Sequence, residues 1–292
     1  MTQIGRQAVV LNPSSSVVTK LPAFTGSLAT RALYIYTPPG YAENLNSSYP
    51  VIYMHDGQNV FESFVKDSFA GSWQADETAD RLILAGKMRP CVIVGVSNGQ
   101  TERLQEYQPP YNKMRYAPLT RRGKPRKHPF IIKGEADKTV VYYQEIAEYI
   151  KTHYRILEGR EHAATCGSSM GGLFSTYMAW EYPEFAKNHA ALSPSYWTTT
   201  RDDGKLNILE RIRHYPKRDV RLWLDSGEGT SEVEGGDDDN KFCTLKARAA
   251  LLEAGYKEGK DFVYYLAEGG LHRESSWAAR LDKVFQFLMP VS

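Results

Sequence analysis

Short, largely apolar runs alternate along the chain with longer stretches whose apolar positions recur every three or four residues. Val51-Ile52-Tyr53-Met54, Cys91-Val92-Ile93-Val94-Gly95-Val96, Ala190-Ala191-Leu192-Ser193 and Arg221-Leu222-Trp223-Leu224 are too short for helices. Their continuity is that of strands covered on both faces, as in a parallel sheet. Arg31 to Thr37 reads as an earlier strand ended by the turn Pro38-Pro39-Gly40-Tyr41, and Asp261 to Leu266 as the last strand. Helical spacing fills the gaps. Ser72-Trp73 leads into a helix with Asp76 and Glu77 near its start and Gly86 near its end; Val140, Tyr143, Ile146, Ala147 and Ile150 mark a helix from Thr139 to His153. Asn240 to Ala254, closed by Gly255, and Ser275 to Leu288 are two more. The alternation predicts an α/β fold with a mostly parallel central sheet, helices on both faces and right-handed crossovers.

One strand-to-helix junction stands apart. His162 to Thr165 forms a brief buried strand, and Leu173 to Trp180 carries helical spacing until Tyr182-Pro183 stops it. Between them lies Gly167-Ser168-Ser169-Met170-Gly171-Gly172. A strand turning directly into a helix strains the residue at the apex, and glycines on either side remove side chains that would collide with neighbouring backbone. Ser169 at that apex is a candidate nucleophile at a helix N-terminus, where free N–H groups favour a developing oxyanion.

Ligands of open α/β sheets bind beyond the carboxyl ends of the strands. The loop His55-Asp56-Gly57-Gln58-Asn59 sits at such an end, so Gln58 and Met170 are the expected backbone N–H donors of an oxyanion hole. Ser193-Pro194-Ser195-Tyr196-Trp197 follows another strand, as an aromatic loop able to wall a pocket. Trp197, Arg103 and Asp56 are the expected substrate-binding residues. His272 lies in the glycine-marked loop Glu268-Gly269-Gly270-Leu271-His272 after the last strand, where a general base for Ser169 is needed. The third member, a carboxylate to orient the imidazole, should follow the Arg221 to Leu224 strand. Asp225, Glu228 and Glu232 are candidates there, with Glu234 and Asp237 to Asp239 beyond them.

With 292 residues and 42% hydrophobic content, the chain suffices for one sizeable core over residues 1–292. A formal charge of +2 from 36 basic and 34 acidic residues gives no global field for nucleic acid or a membrane surface. The apolar stretch Ala8 to Leu11 is too short for a signal-peptide core, and no stretch is long enough to span a membrane. Cys91, Cys166 and Cys243 fit buried free thiols in a reducing compartment, so the expected location is the cytoplasm. No metal-ligand spacing is present, and neither a metal nor another cofactor is expected. Residues 108–134 are proline-rich and basic, with Lys113, Arg115, Arg121, Arg122, Lys124, Arg126, Lys127 and Lys133, and read as a loop or cap-like excursion over the sheet.

Together these motifs make the chain resemble the putative esterase family of α/β-hydrolases, which includes enterochelin and bacillibactin esterases, feruloyl esterases and formylglutathione hydrolase. The resemblance runs from Arg31 to Leu288. It rests on Pro38-Pro39-Gly40-Tyr41, His55-Asp56-Gly57-Gln58-Asn59, Asn98 with Arg103 and Glu106-Tyr107, the Ser169 elbow, Ser193 to Trp197, and Gly270-Leu271-His272-Arg273-Glu274-Ser275-Ser276-Trp277. It implies an α/β-hydrolase domain, Ser169 as nucleophile, His272 as base, and an acid from a Gly-Thr-x-Glu pattern. Gly229-Thr230-Ser231-Glu232 fits that pattern and makes Glu232 the expected acid. The expected activity is hydrolysis of a small-molecule carboxylic ester through an acyl-enzyme, its identity open, with feruloyl or acetyl sugar esters and siderophore-type esters among the candidate classes. Acyl transfer by the same residues and a non-catalytic binding module on the same scaffold are the alternatives.

Overall fold

The computed structural model describes residues 16–116 and 130–291. Its strands are β1 (Val17–Phe24), β2 (Arg31–Thr37), β3 (Val51–His55), β4 (Val92–Val96), β5 (Lys113–Tyr116), β6 (Phe130–Lys133), β7 (Ala163–Ser168), β8 (Asn188–Leu192), β9 (Arg221–Gly227) and β10 (Phe262–Ala267). The helices are α1 (Ala75–Leu84), α2 (Arg103–Tyr107), α3 (Ala136–His153), α4 (Met170–Glu181), α5 (Asn207–His214), α6 (Lys241–Glu253), α7 (Glu274–Ala278) and α8 (Leu281–Leu288).

Eight strands form one sheet in the order β1-β2-β4-β3-β7-β8-β9-β10. β1 and β2 run antiparallel to their neighbours, and every pairing from β4 to β10 is parallel. The α/β architecture expected from the apolar runs is therefore present. Pairing of Val51 with both Val92 and Ala163, Asn188 with Arg221, and Leu222 with Phe262 brings the carboxyl ends of the central strands to a common edge. The loops after His55, Ser168, Leu192, Gly227 and Ala267 meet there.

Both faces are covered. β3 and β4 show no alternation of buried and exposed positions, because every residue of each is buried, as fits strands packed on two sides. One core joins the sheet to α3, α4, α5 and α6 through residues such as Val140, Ile146, Leu173, Phe174, Ile208 and Leu251. The other joins it to α1 and α8 through Ala79, Leu82, Val284, Phe285 and Leu288. From Met170 to Trp180 every residue of α4 is buried, so the helix behind the elbow is enclosed by protein on all sides.

Three elements differ from the sequence expectation. β1 is a partly exposed edge strand whose register shifts between Leu21 and Phe24, around Pro22, and such an edge carries little apolar signal. The basic excursion is not structureless, since β5 and β6 pair antiparallel within it. Its Arg121, Arg122, Lys124, Arg126 and Lys127 lie outside the described residues, as does the stretch Ala8 to Leu11. Finally, the helix expected from Ser275 to Leu288 is two helices, α7 and α8, broken at Ala279-Arg280, where the buried Arg280 turns inward to an aspartate.

Candidate active site

Ser169 sits between β7 and α4 with φ 57° and ψ −121°, a conformation that L-residues seldom adopt. Three backbone bonds hold it there: its N–H donates to Leu192 O at 2.9 Å, and its carbonyl accepts from Ser195 N at 2.9 Å and Leu173 N at 3.1 Å. Close approach requires glycine at 167 and leaves tight space at 171. A Cβ on Gly167 would lie 2.5 Å from His55 Cδ2 and 2.8 Å from the Gly171 carbonyl carbon, and one on Gly171 would lie 3.3 Å from Asp56 Oδ2. Packing of the elbow thus brings the β3 loop against it.

Ser169 Oγ is 2.9 Å from His272 Nε2, and His272 Nδ1 is 2.7 Å from Asp239 Oδ1. A carboxylate only accepts, so the imidazole hydrogen sits on Nδ1 and the Nε2 lone pair faces the serine hydroxyl. The Trp277 ring stands edge-on to the imidazole, with centroids 5.1 Å apart. His272 retains 34% side-chain exposure, whereas the Asp239 side chain is fully buried. Burial raises the Asp239 carboxyl, but hydrogen bonds from His272, Ser193 and the Gly227 N–H outweigh it and hold the group below the ordinary aspartate range.

The carboxylate on His272 is therefore Asp239, which corrects the expectation of Glu232. Glu232 is 91% exposed and faces Lys241 at 3.4 Å. Glu228 accepts from the Gly269 N–H at 2.9 Å, and Asp225 lies inside β9 against Arg280 and Trp223. The loop after β9 folds back on itself, with the Thr230 and Ser231 N–H groups both on Asp237 O, and delivers Asp239 to the site just before α6. Asp239 and Asn240 are consecutive residues with φ of 46° and 61°, and Asn240 Nδ2 secures the bend on Ser193 O at 2.7 Å. An Asp-Asn pair at a helix start, both types tolerant of left-handed backbone, is the signal that the sequence does carry.

The β3 loop is braced from beneath. Asp56 (φ 57°) accepts Arg103 Nε at 2.6 Å and Nη2 at 2.7 Å, and Asn98 Nδ2 at 2.6 Å. Burial raises the Asp56 carboxyl, yet the Arg103 charge and these bonds bring it below its usual range. With both oxygens occupied and the residue 7% exposed, Asp56 holds the loop in place; the expected substrate contact from it does not fit this geometry. Gly57 lies so close to Gly95 that a Cβ would be 2.3 Å from its carbonyl carbon, which seats the following turn Gly57–Asn59 on β4. Gln58 lies in that turn, and Met170 is the first residue of α4; amides in the first turn of a helix have no intrahelical partner. Glu274, raised by burial, approaches the same loop with Oε1 3.4 Å from Asn59 Nδ2.

Ser195 stands in the sequence only as part of an aromatic loop, yet its Oγ is 3.1 Å from Ser169 Oγ. Trp197, two residues on, is half exposed on the turn Tyr196–Thr199. The three cysteines are free and buried, and burial pushes each thiol up, Cys243 to about 11. Among the described residues no group of three or more His, Cys, Asp or Glu side chains is arranged to hold a metal, and no helix is long and apolar enough to cross a membrane.

Residues 29–288 match the family described as "Putative esterase", and the chain belongs to that family. Endo-1,4-beta-xylanase Y of Acetivibrio thermocellus is 23% identical over 252 residues, 85% of this chain; the chain spans only 21% of that relative's length. Among solved structures, a ferulic acid esterase superposes with a TM-score of 0.64 at 19% identity, covering 94% of this chain and 98% of that one. The BES protein of Bacillus cereus gives 0.63 at 20% identity, covering 99% and 100%. The enterobactin esterase FES of Shigella flexneri gives 0.65 at 16% identity, covering 92% of this chain and 58% of that one. At these identities the superpositions establish the shared fold.

Proposed function

We propose that this protein is an ester hydrolase that works through a covalent acyl-enzyme on Ser169. The observation that carries the reading is the continuous series Ser169 Oγ, His272, Asp239 at 2.9 and 2.7 Å, mounted on a strained strand-to-helix apex. Ser169 attacks the acyl carbon while His272 Nε2 takes its proton, and Asp239 stabilises the imidazolium that forms. The Met170 and Gln58 N–H groups receive the oxyanion. The imidazolium returns its proton to the departing alcohol, and water then follows the reverse route to free the acid. The family and the named relatives support an ester of small-molecule type, with feruloyl or acetyl sugar esters and siderophore-type esters as the classes to assay, and Trp197 and Arg103 as residues flanking the bound ester. Three buried thiols fit a cytoplasmic location.

In hydrolysis of an activated ester, Ser169→Ala and His272→Ala should each lower kcat by roughly 10⁵- to 10⁶-fold, with the double substitution little worse, because the pair acts as a unit. Near-normal turnover by folded Ser169→Ala protein would remove the proposal. Product analysis with added alcohol separates hydrolysis from acyl transfer.

A further inference from the structure

Behind Asp239 lies a second carboxylate that the reaction above does not use. Asp225, fully buried, accepts Arg280 Nη2 at 2.9 Å and the Ser193 N–H at 3.2 Å on Oδ1, and Trp223 Nε1 at 2.7 Å on Oδ2. The Arg280 side chain is only 3% exposed, and the same Nη2 donates to Ser193 Oγ at 2.8 Å and stands 3.7 Å from Asp239 Oδ2. Ser193 Oγ also accepts from Trp277 Nε1 at 3.0 Å and donates to Asp239 Oδ2 at 2.8 Å.

The donor and acceptor balance here has one solution. Arginine and the indole N–H can only donate, so together they fill both acceptor positions of the Ser193 hydroxyl. Its single hydrogen is left for Asp239. Oδ2 of Asp239 then receives that hydrogen and the Gly227 N–H, which leaves it no room for a proton of its own. Oδ1 is turned to His272 as an acceptor. Ser193 is itself fixed at φ 43°, with its N–H on Asp225 O at 2.9 Å.

We infer that Ser193 and Arg280 are positioning residues: Arg280, neutralised by Asp225, saturates Ser193 and so locks Asp239 as the unprotonated acceptor that sets the His272 tautomer. This inference rests on the acyl-enzyme reading for its kinetic consequence, and on the hydrogen bonds alone for its spectroscopic one.

The test is a double-mutant cycle. Arg280→Met combined with Asp225→Leu removes both buried charges at once, so no unpaired charge is left to unfold the protein. This pair, and separately Ser193→Ala, should lower kcat roughly 10- to 100-fold with KM nearly unchanged. All three changes together should cost no more than Ser193→Ala alone, because Arg280 acts through Ser193. In the proton NMR spectrum, the strongly hydrogen-bonded His272 Nδ1–H resonance should be displaced or broadened in both variants. Wild-type kcat in the charge-free pair, or losses that multiply in the triple variant, would overturn the inference. If the unmutated chain fails to react at Ser169, the acyl-enzyme reading falls instead. The resonance still decides the inference in that case: displacement in both variants supports the lock, and an unchanged signal overturns it.

Discussion

Replacing Asp239 by asparagine changes one atom and tests the assignment of the acid in detail. The Oδ2 position of Asp239 faces two donors, the Ser193 hydroxyl and the Gly227 N–H, so an asparagine must put its carbonyl oxygen there. Its NH₂ then points at His272 Nδ1. That nitrogen must accept, the ring hydrogen moves to Nε2, and a donor faces Ser169 Oγ at the 2.9 Å contact where a base is required. The site keeps its shape but holds the wrong tautomer. The expected loss in kcat is about 10⁴-fold, which corresponds to roughly 5 kcal/mol of transition-state stabilisation. Glu232→Gln, at a side chain 91% exposed, should stay within about 2-fold. Initial rates on a chromogenic ester, with unfolding curves to confirm equal stability, are sufficient. Asp239→Asn protein that retains more than a tenth of wild-type kcat, or a larger loss at Glu232→Gln, would rule out Asp239 as the group that sets the His272 tautomer.

Two further predictions follow from buried titratable groups. Arg103→Met strips Asp56 of its bidentate partner, leaving a buried carboxylate with Asn98 as its remaining side-chain donor; unfolding free energy should drop by about 3–5 kcal/mol, and the loosened Gln58 turn should depress kcat more than it raises KM. Restoration of both by Arg103→Lys to wild-type values would argue against the bidentate clamp. Burial holds both His55 and His189 down to about 3 from the ordinary 6.5. The unfolded chain therefore binds protons that the folded one refuses, so each histidine's contribution is intact above about pH 6.5 and is lost as pH falls toward about 3. Urea unfolding between pH 7 and pH 5 should show a decline of about 2 kcal/mol per histidine, and His189→Gln should make that slope shallower; an unchanged slope would contradict it.

Much of this site could be read from residue order. Ser169 and His272 are legible because each follows the carboxyl end of a strand of the sheet, and the Gly167 position is dictated by local sterics that leave a mark in the chain. The Gln58 and Met170 positions follow from the same strand-end logic. The carboxylate that meets His272 is not legible in this way. Several carboxylates stand between β9 and α6, and which one reaches His272 depends on a loop folding back through Asp237 O, a tertiary event with no periodic signature. The Ser193 and Arg280 connections were hidden for a related reason. They join residues 87 apart in the chain, and Arg280 stands in a stretch whose spacing reads as uninterrupted helix. The edge strand β1 escaped because a half-exposed strand needs few apolar residues.

Covalent modification of Ser169 in turnover is tested directly by reaction with a fluorophosphonate followed by peptide mass spectrometry. The expected result is one phosphonyl adduct, on the peptide containing Ser169, absent from Ser169→Ala protein and slowed at least roughly 10³-fold in His272→Ala. No adduct on folded protein, or an adduct elsewhere that persists in Ser169→Ala, would contradict the account.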